Sequence, residues 1–318
     1  MIDMTAPDNP TPAASFVGCP AAGERHVAGR ARVAASDGVS LHVRTWLPAG
    51  RAALAGLLFT HGIASHGAWF AETAGHLADE GIAVYAPDRR GSGVSGGPRG
   101  HVARCEQALR DLDRVTSLVA EEQPGRPIFL VGSSWAAKLA LAYAAGAQHR
   151  LAGLLLHGPG LFPRVDLGLG QKLAVLALHR TWPGRQLPIP LKPEDYTRQP
   201  AYLDYIRQDD RRLLTASARF FWETRRLDRA RDRLGARLRL PILLQIGEAD
   251  PIMDAQATCR WAHRLPAPDR TIVVYRDASH TLDFEPEPTL STYRADLLGW
   301  LRHQAAQASG GREAGDGR

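Results

Sequence analysis

An apolar stretch, a serine and a helical stretch follow one another in the middle of the chain, and this run carries the most chemical information. Ser134 stands within it, with Gly132 two residues before and Ala136 two residues after. The pattern Gly-x-Ser-x-Gly is typical of a nucleophile elbow, a strained strand-to-helix turn that needs small flanking residues. Ala136 is small enough for that turn. If Ser133 were the nucleophile instead, the flanking residues would be Val131 and Trp135, which are too large for the turn. The simpler alternative is an ordinary serine cap at a helix start.

A serine hydroxyl is a weak nucleophile at neutral pH, so Ser134 requires a histidine base and an acid that orients the histidine. Asp250 follows the apolar strand pattern 242–246, and His280 follows the next strand pattern, 271–275. Both residues therefore fall in loops at the carboxyl ends of their strands. The chain order Ser, Asp, His is also the order typical of hydrolases with a nucleophile elbow.

Two further acids compete with Asp250 for the role of partner to the histidine. Asp254 opens the following helical stretch, and Asp277 lies only three residues before His280. We prefer Asp250 because it comes directly after its strand, while Asp277 is too close in sequence to face His280 easily. Taken singly, Asp250 could be a helix cap and His280 an exposed loop residue.

A serine nucleophile that attacks a carbonyl also needs N–H groups that stabilise the negative charge on the oxygen. The first should be the backbone N–H of Trp135, which follows Ser134 at a helix start, where N–H groups lack partners. The second should come from the loop after the strand pattern 54–60, and we assign it to Ile63. Because any residue type supplies a backbone donor, side-chain chemistry does not test this assignment.

Strands and helices alternate around these residues. Strand patterns cover residues 32–35, 41–47, 54–60, 82–86, 128–131, 151–156, 242–246 and 271–275. Helical spacing of apolar residues covers 69–80, 103–120, 136–145 and 290–301. Continuous apolar strands flanked by helices are typical of a parallel sheet that is covered on both faces. The sequence therefore predicts an α/β fold whose strand ends carry Ser134, Asp250 and His280.

The alternation is interrupted at residues 160–235, which hold no strand pattern and are rich in arginine, proline and aromatic residues. This insertion predicts a helical lid over the carboxyl ends of the strands, where open α/β sheets bind ligands. The apolar stretch 167–178 and the lid aromatics would give an acyl chain a water-poor channel. The alternative is that the aromatic residues merely pack the lid onto the body.

These patterns divide the chain into a disordered leader (1–27), an α/β core (28–159 and 236–304), the lid (160–235) and a disordered tail (305–318). The leader has acidic residues and prolines where a signal peptide needs basic and apolar ones, which predicts a cytoplasmic protein. No run approaches the ~18 apolar residues of a membrane span, so we expect no integral membrane segment.

The charge and the cysteine content argue against nucleic-acid-binding, disulfide-rich and metal-binding proteins. The net charge of +6 comes almost wholly from arginines spread along the chain, so we expect no nucleic-acid partner. A weak peripheral attraction to anionic lipid or substrate stays open. Cys19, Cys105 and Cys259 are an odd number without metal-ligand spacing, so neither a disulfide framework nor a metal site is implied.

The motifs together resemble a known family. Residues 30–304 resemble the α/β-hydrolases. The resemblance rests on the nucleophile elbow, on Asp250 and His280, on His61-Gly62 and on the Gly-rich run 88–95. The resemblance implies a mostly parallel eight-stranded sheet with helices on both faces and a helical lid inserted after the sixth strand. It also implies an enzyme without a cofactor.

A narrower resemblance concerns the monoacylglycerol lipase and lysophospholipase group. The pattern His61-Gly62-x-x-x-His66, followed by Gly-Pro-Arg-Gly-His at 97–101, is similar to that group. It implies a serine hydrolase that cleaves a small-molecule acyl ester, such as a monoacylglycerol or a lysophospholipid, through an acyl-serine intermediate.

Other functions on the same three residues stay open. The pair Ser134-Trp135, with Leu-Ala-Leu-Ala-Tyr-Ala at 139–144, resembles proline iminopeptidases instead, although their His-Gly-Gly-Pro stretch is absent here. Aminopeptidase or thioesterase activity is therefore the alternative. A ligand-binding protein without turnover is a third hypothesis, against which the complete set of Ser134, Asp250 and His280 argues.

Overall fold

The computed structural model describes residues 25–313 and is organised around a sheet of eight strands. The strands of the described chain are β1 (His26–Ala34), β2 (Ser40–Pro48), β3 (Ala55–Thr60), β4 (Ile82–Pro87), β5 (Ile128–Ser133), β6 (Gly153–His157), β7 (Gln186–Pro188), β8 (Thr215–Ser217), β9 (Ile242–Gly247) and β10 (Arg270–Tyr275). The large sheet has the order β1-β2-β4-β3-β5-β6-β9-β10. From β4 to β10 all neighbouring strands are parallel, whereas β1 pairs antiparallel with β2, and β2 with β4.

The central strands are continuous apolar runs because both faces of the sheet are covered. Every residue of β3, β4, β6 and β9 is buried. The helices of the described chain are α1 (Ala71–Asp79), α2 (Cys105–Glu122), α3 (Ala136–Ala147), α4 (Leu169–Thr181), α5 (Pro193–Tyr196), α6 (Pro200–Gln208), α7 (Ala218–Gly235), α8 (Ala255–His263) and α9 (Thr289–Glu313). Leucines of α2 and α3 pack with Trp261 of α8 on one face, and Leu77 of α1 packs with leucines of α9 on the other.

The segment between β6 and β9 leaves the sheet and contains α4 to α7. It also contains the short antiparallel pair β7 and β8, so our prediction that residues 160–235 hold no strand was wrong. Strands of three residues are too short to show a period-2 pattern, which is why the sequence did not reveal them. Backbone hydrogen bonds join this segment to the core at Leu213 N–H to Ala64 C=O (2.9 Å) and Ser217 N–H to Gly100 C=O (2.9 Å).

The described chain begins and ends differently from our expectation. β1 starts at His26, inside the predicted leader, where the ring Nδ1 lies 2.9 Å from Asp79 Oδ1. Helix α9 extends to Glu313 and so includes part of the predicted disordered tail. Ala305 is buried, and Gln304 donates to Asp269 (2.5 Å), so contacts with the core extend the helix. The rest of the predicted leader (1–24) and tail (314–318) lies outside the described residues.

Among the helices within residues 25–313, none is long and apolar enough to cross a membrane.

Candidate active site

The structure brings the three candidate catalytic side chains together at the carboxyl edge of the sheet. His280 Nε2 lies 2.9 Å from Ser134 Oγ, and His280 Nδ1 lies 2.7 Å from Asp250 Oδ2. Ser134 follows β5, Asp250 lies beyond β9 and His280 beyond β10. Ser134, Asp250 and His280 are 8%, 0% and 5% exposed, respectively, so solvent barely screens their interactions. This geometry allows proton transfer from the serine to the imidazole.

A strained backbone turn presents the serine. Ser134 has φ 52°, a left-handed conformation that is unfavourable for a residue with a side chain. Two hydrogen bonds hold it there: Ser134 N–H donates to His157 C=O (2.8 Å), and Gly160 N–H donates to Ser134 C=O (2.8 Å). A Cβ at Gly132 would lie 2.7 Å from atoms of the following helix, which explains the glycine. Ala136 is fully buried in this turn, so its methyl group is accommodated.

Asp250 is held as a carboxylate acceptor with both oxygens engaged. Its Oδ1 accepts hydrogen bonds from Ile252 N–H (2.8 Å) and Met253 N–H (2.9 Å), which leaves Oδ2 for His280. The rival acids lie elsewhere. Asp254 caps α8 by accepting from Ala257 N–H, and Asp277 is an exposed residue with φ 56°. Only Asp250, of these three acids, contacts the imidazole.

The predicted oxyanion donors belong to two segments that adjoin the serine. Trp135 directly precedes α3, and Ile63 follows Gly62, where a Cβ would lie 3.1 Å from Ser134 Cβ. Within residues 25–313, neither Trp135 N–H nor Ile63 N–H has a hydrogen-bond acceptor in the protein. Both N–H groups are therefore without an acceptor in the described chain, as the predicted oxyanion hole requires.

Arg89, for which no role was predicted from the sequence, contacts both the loop that carries Ile63 and the side chain of Trp135. Its Nη2 donates to Gly62 C=O (2.7 Å) and Ile63 C=O (3.2 Å), and its Nε donates to His61 C=O (3.2 Å). The guanidinium also lies over the Trp135 ring, 4.6 Å from its centroid. Burial lowers the pKa of Arg89 to about 9. An arginine directly after the buried Asp88, at the end of a strand, was the available signal.

The neighbouring His61 side chain supports the same loop in a defined tautomer. Its Nε2 accepts from Arg89 N–H (2.9 Å), so the proton is on Nδ1, which donates to Gly62 C=O (3.0 Å). Burial and the charge of Arg89 lower the pKa of His61 well below its usual range. The imidazole is therefore neutral and serves as a fixed link in the loop that carries Ile63.

The segment between β6 and β9 covers this centre. The Tyr196 ring packs edge-on against His280, with centroids 6.0 Å apart, and Tyr196 C=O accepts from Thr281 N–H (3.0 Å). Phe220 stacks on Trp135 at 4.7 Å, and Trp135 Nε1 donates to a threonine of α7. An apolar cavity of about 40 Å³ lies beside Trp135 and is lined by residues of both the core and the inserted segment.

The stretch 167–178 divides between two environments. Leu167 and Val175 are buried in the cluster that contains Trp135, whereas Leu169, Leu173 and Leu176 are more than half exposed. The stretch therefore packs onto the core with one face and presents three leucines to solvent with the other.

A mostly parallel eight-stranded sheet with a serine, histidine and aspartate at its carboxyl edge defines an α/β-hydrolase. The sequence profile of the family Hydrolase_4, described as serine aminopeptidase S33, matches residues 51–287. The match covers well over half of the chain, and the chain belongs to this family.

Individual relatives agree with this class. Human monoglyceride lipase is 27% identical over 277 residues, which cover 86% of this chain and 90% of the human protein. An abhydrolase domain-containing protein of Dictyostelium discoideum is 26% identical over 280 residues, but the chain spans only 29% of its length. A solved structure, a soluble variant of monoglyceride lipase from Saccharomyces cerevisiae, has a TM-score of 0.77 at 20% identity, covering 84% of this chain and 93% of that one. The predicted fold and enzyme class, an ester-bond hydrolase of the α/β-hydrolase family, are confirmed.

Proposed function

We propose that this protein is a serine hydrolase that cleaves a carboxylic ester through an acyl-serine intermediate, with Ser134, His280 and Asp250 as its catalytic triad. The observation that carries the proposal is the buried hydrogen-bonded chain from Ser134 Oγ through the His280 ring to Asp250. Geometry and chain order both match the triad of enzymes with a nucleophile elbow.

In the proposed reaction, His280 Nε2 takes the proton of Ser134 as Oγ attacks the ester carbonyl. His280 becomes a cation, which the carboxylate of Asp250 stabilises from the other side of the ring. The imidazolium then protonates the leaving alcohol and the acyl-serine remains. Water repeats the sequence, with its proton accepted by His280, and releases the acid and free Ser134.

The charge that develops on the carbonyl oxygen would be stabilised by the N–H groups of Ile63 and Trp135. Arg89 would act as a positioning residue, because it holds the carbonyl groups of 61–63 on the side away from the oxyanion. Loss of one oxyanion donor raises the barrier by about 3 to 4 kcal/mol in known cases, so the orientation of this loop should control the rate.

The proposed substrate is an acyl ester of a small alcohol, of the monoacylglycerol or lysophospholipid kind. The similarity to human monoglyceride lipase and to the monoacylglycerol lipase of Mycolicibacterium smegmatis supports this choice. The second candidate is aminopeptidase activity on the same triad, which the family description, serine aminopeptidase, favours. Thioester hydrolysis would use the same residues.

A panel of substrates with matched variants tests the proposal. Octanoyl glycerol, a lysophospholipid, a prolyl arylamide and an acyl-CoA should be assayed with wild type, Ser134→Ala and Ser133→Ala. We expect ester hydrolysis that Ser134→Ala abolishes and that Ser133→Ala, the neighbouring hydroxyl, largely retains. Release of proline but not of acyl chains would establish the aminopeptidase instead. Equal activity of wild type and Ser134→Ala would contradict both.

We also propose a peripheral contact with lipid through the exposed face of α4. Leu169, Leu173 and Leu176 lie at helical spacing on this face, with the cationic side chains of Lys172 and Arg180 on the same helix. Co-sedimentation with vesicles that contain an anionic phospholipid should decrease in Leu173→Ser/Leu176→Ser. Equal binding of the variant would reject this face. A cytoplasmic location likewise stays a proposal, testable by cell fractionation.

A further inference from the structure

Two buried polar groups of the inserted segment lack partners close to the catalytic histidine. The Tyr196 hydroxyl is buried and has no hydrogen-bond partner among the described residues. Arg212 Nε is buried and likewise without a partner, and no carboxylate within residues 25–313 forms an ion pair with the Arg212 guanidinium. Buried donors are nearly always satisfied in folded proteins, so a ligand that brings acceptor atoms to this place would complete both groups.

Both groups are fixed to the active site by their neighbours in the chain. Tyr196 packs on the ring of His280 and its carbonyl accepts from Thr281 N–H. Leu213, next to Arg212, donates its N–H to Ala64 C=O in the loop that carries Ile63. Arg212 acts electrostatically on the Tyr196 hydroxyl and opposes the rise in its pKa that burial causes. The two groups therefore belong to one surface above the catalytic centre.

Two acids of this region, Asp209 and Asp195, are engaged with other groups. Asp209 accepts from Trp69 Nε1 (2.8 Å) and lies 3.1 Å from His66 Nε2. Asp195 accepts from Lys192 N–H (2.7 Å) at the start of α5, although its charge still raises the pKa of Tyr196. The charge of Arg212 is thus left without a hydrogen-bonded counter-ion.

We infer that Tyr196 and Arg212 form a headgroup subsite that binds an anionic, phosphate-bearing group on the alcohol part of the ester. A guanidinium and a phenolic O–H offer donors that match phosphate oxygens, and a half-buried arginine without a carboxylate partner favours an anion. The subsite lies on the alcohol side because it borders His280, which protonates the leaving alcohol. This inference rests on the proposed ester hydrolysis and narrows its substrate to esters of the lysophospholipid kind.

The test compares two substrates that differ only in the phosphate: 1-octanoyl-glycerol and 1-octanoyl-glycerol 3-phosphate. The measured quantity is the ratio of kcat/KM for the phosphate ester to kcat/KM for the neutral ester. We expect wild type to prefer the phosphate ester and the ratio to fall about tenfold or more in Arg212→Gln, as for loss of a hydrogen bond to a charged group. Arg212→Lys should retain part of the ratio, and Tyr196→Phe should lower it by a smaller factor.

Controls separate this inference from simpler outcomes. Arg233→Gln removes an exposed charge from α7 and should leave the ratio at its wild-type value. Inorganic phosphate, added to the assay at the concentration of the ester, should not remove the preference for the phosphate ester. Loss of the preference would mean that the site binds free phosphate and not the headgroup of the ester, which would contradict the inference. A ratio that is the same in wild type and Arg212→Gln overturns the subsite, while ester hydrolysis that needs Ser134 would still support the proposed function.

Discussion

The core and the inserted segment meet at Ser134, and different kinds of interaction fix the residues of each region. In the core, backbone hydrogen bonds fix the reacting groups: Ser134 with His157 and Gly160, and Asp250 with Ile252 and Met253. The inserted segment contacts the core through side chains, such as Phe220 against Trp135, as well as through backbone hydrogen bonds, and its helix α4 exposes leucines. From this difference we expect the core to determine the chemistry of the proposed triad, while changes to side chains of the insertion alter the choice of substrate.

The largest expected effect tests the core directly. Asp250→Asn should lower kcat by about 10⁴, because the amide no longer selects the tautomer of His280 or stabilises its cation. Asp254→Asn is the matched control: it keeps a side chain able to cap α8 and should keep its activity. Steady-state kinetics of both variants decide the point. Wild-type kcat in Asp250→Asn would mean that another acid orients the histidine.

The second effect concerns the loop that carries Ile63. Arg89→Gln should lower kcat by about 10² to 10³ with a smaller change in KM, because the oxyanion donor loses its fixed orientation. Arg89→Lys should recover little, since an ammonium cannot bind three carbonyls and stack on Trp135 together. A rise in KM at constant kcat would instead assign Arg89 to substrate binding.

A third effect concerns the stability of the core beneath the elbow. Burial lowers the pKa of His157 to about 3, so the folded protein keeps this ring neutral while the unfolded chain protonates it below its ordinary pKa of about 6.5. The free energy of unfolding therefore decreases as the pH falls from about 6.5 towards 3, and the loss between pH 6.5 and 5 is about 2 kcal/mol. Urea unfolding of wild type and His157→Gln should show a steeper acid loss in wild type. Parallel pH profiles would contradict the neutral, buried state.

The smallest effect concerns the attachment of the insertion. Asp209→Asn weakens the contacts with His66 and Trp69 and should destabilise the inserted segment by about 1 kcal/mol. Hydrogen exchange should increase in α6 while the core strands stay protected. Asp204→Asn, an exposed residue of the same helix, should leave the exchange unchanged. Faster exchange throughout the core would mean that the two regions unfold as one.

Much of the sheet, and the strand ends that carry the three candidate catalytic residues, could be predicted from sequence because their signals are local. A buried parallel strand is a continuous apolar run, and its end locates the next loop, so Ser134, Asp250 and His280 could be placed. The short pair β7 and β8 and the full extent of α9 could not, because tertiary contacts rather than periodicity determine them. Arg89 was missed because its partners are backbone carbonyls 26 to 28 residues away, which no spacing rule connects.

Site-specific covalent labelling is the most direct test of the central claim, that Ser134 is the nucleophile of a working triad. A fluorophosphonate probe should form one adduct, which mass spectrometry of the digested protein should map to Ser134. Labelling should disappear in Ser134→Ala, persist in Ser133→Ala and slow markedly in Asp250→Asn. No adduct on the folded wild type, or an adduct on another residue that remains in Ser134→Ala, would contradict the account.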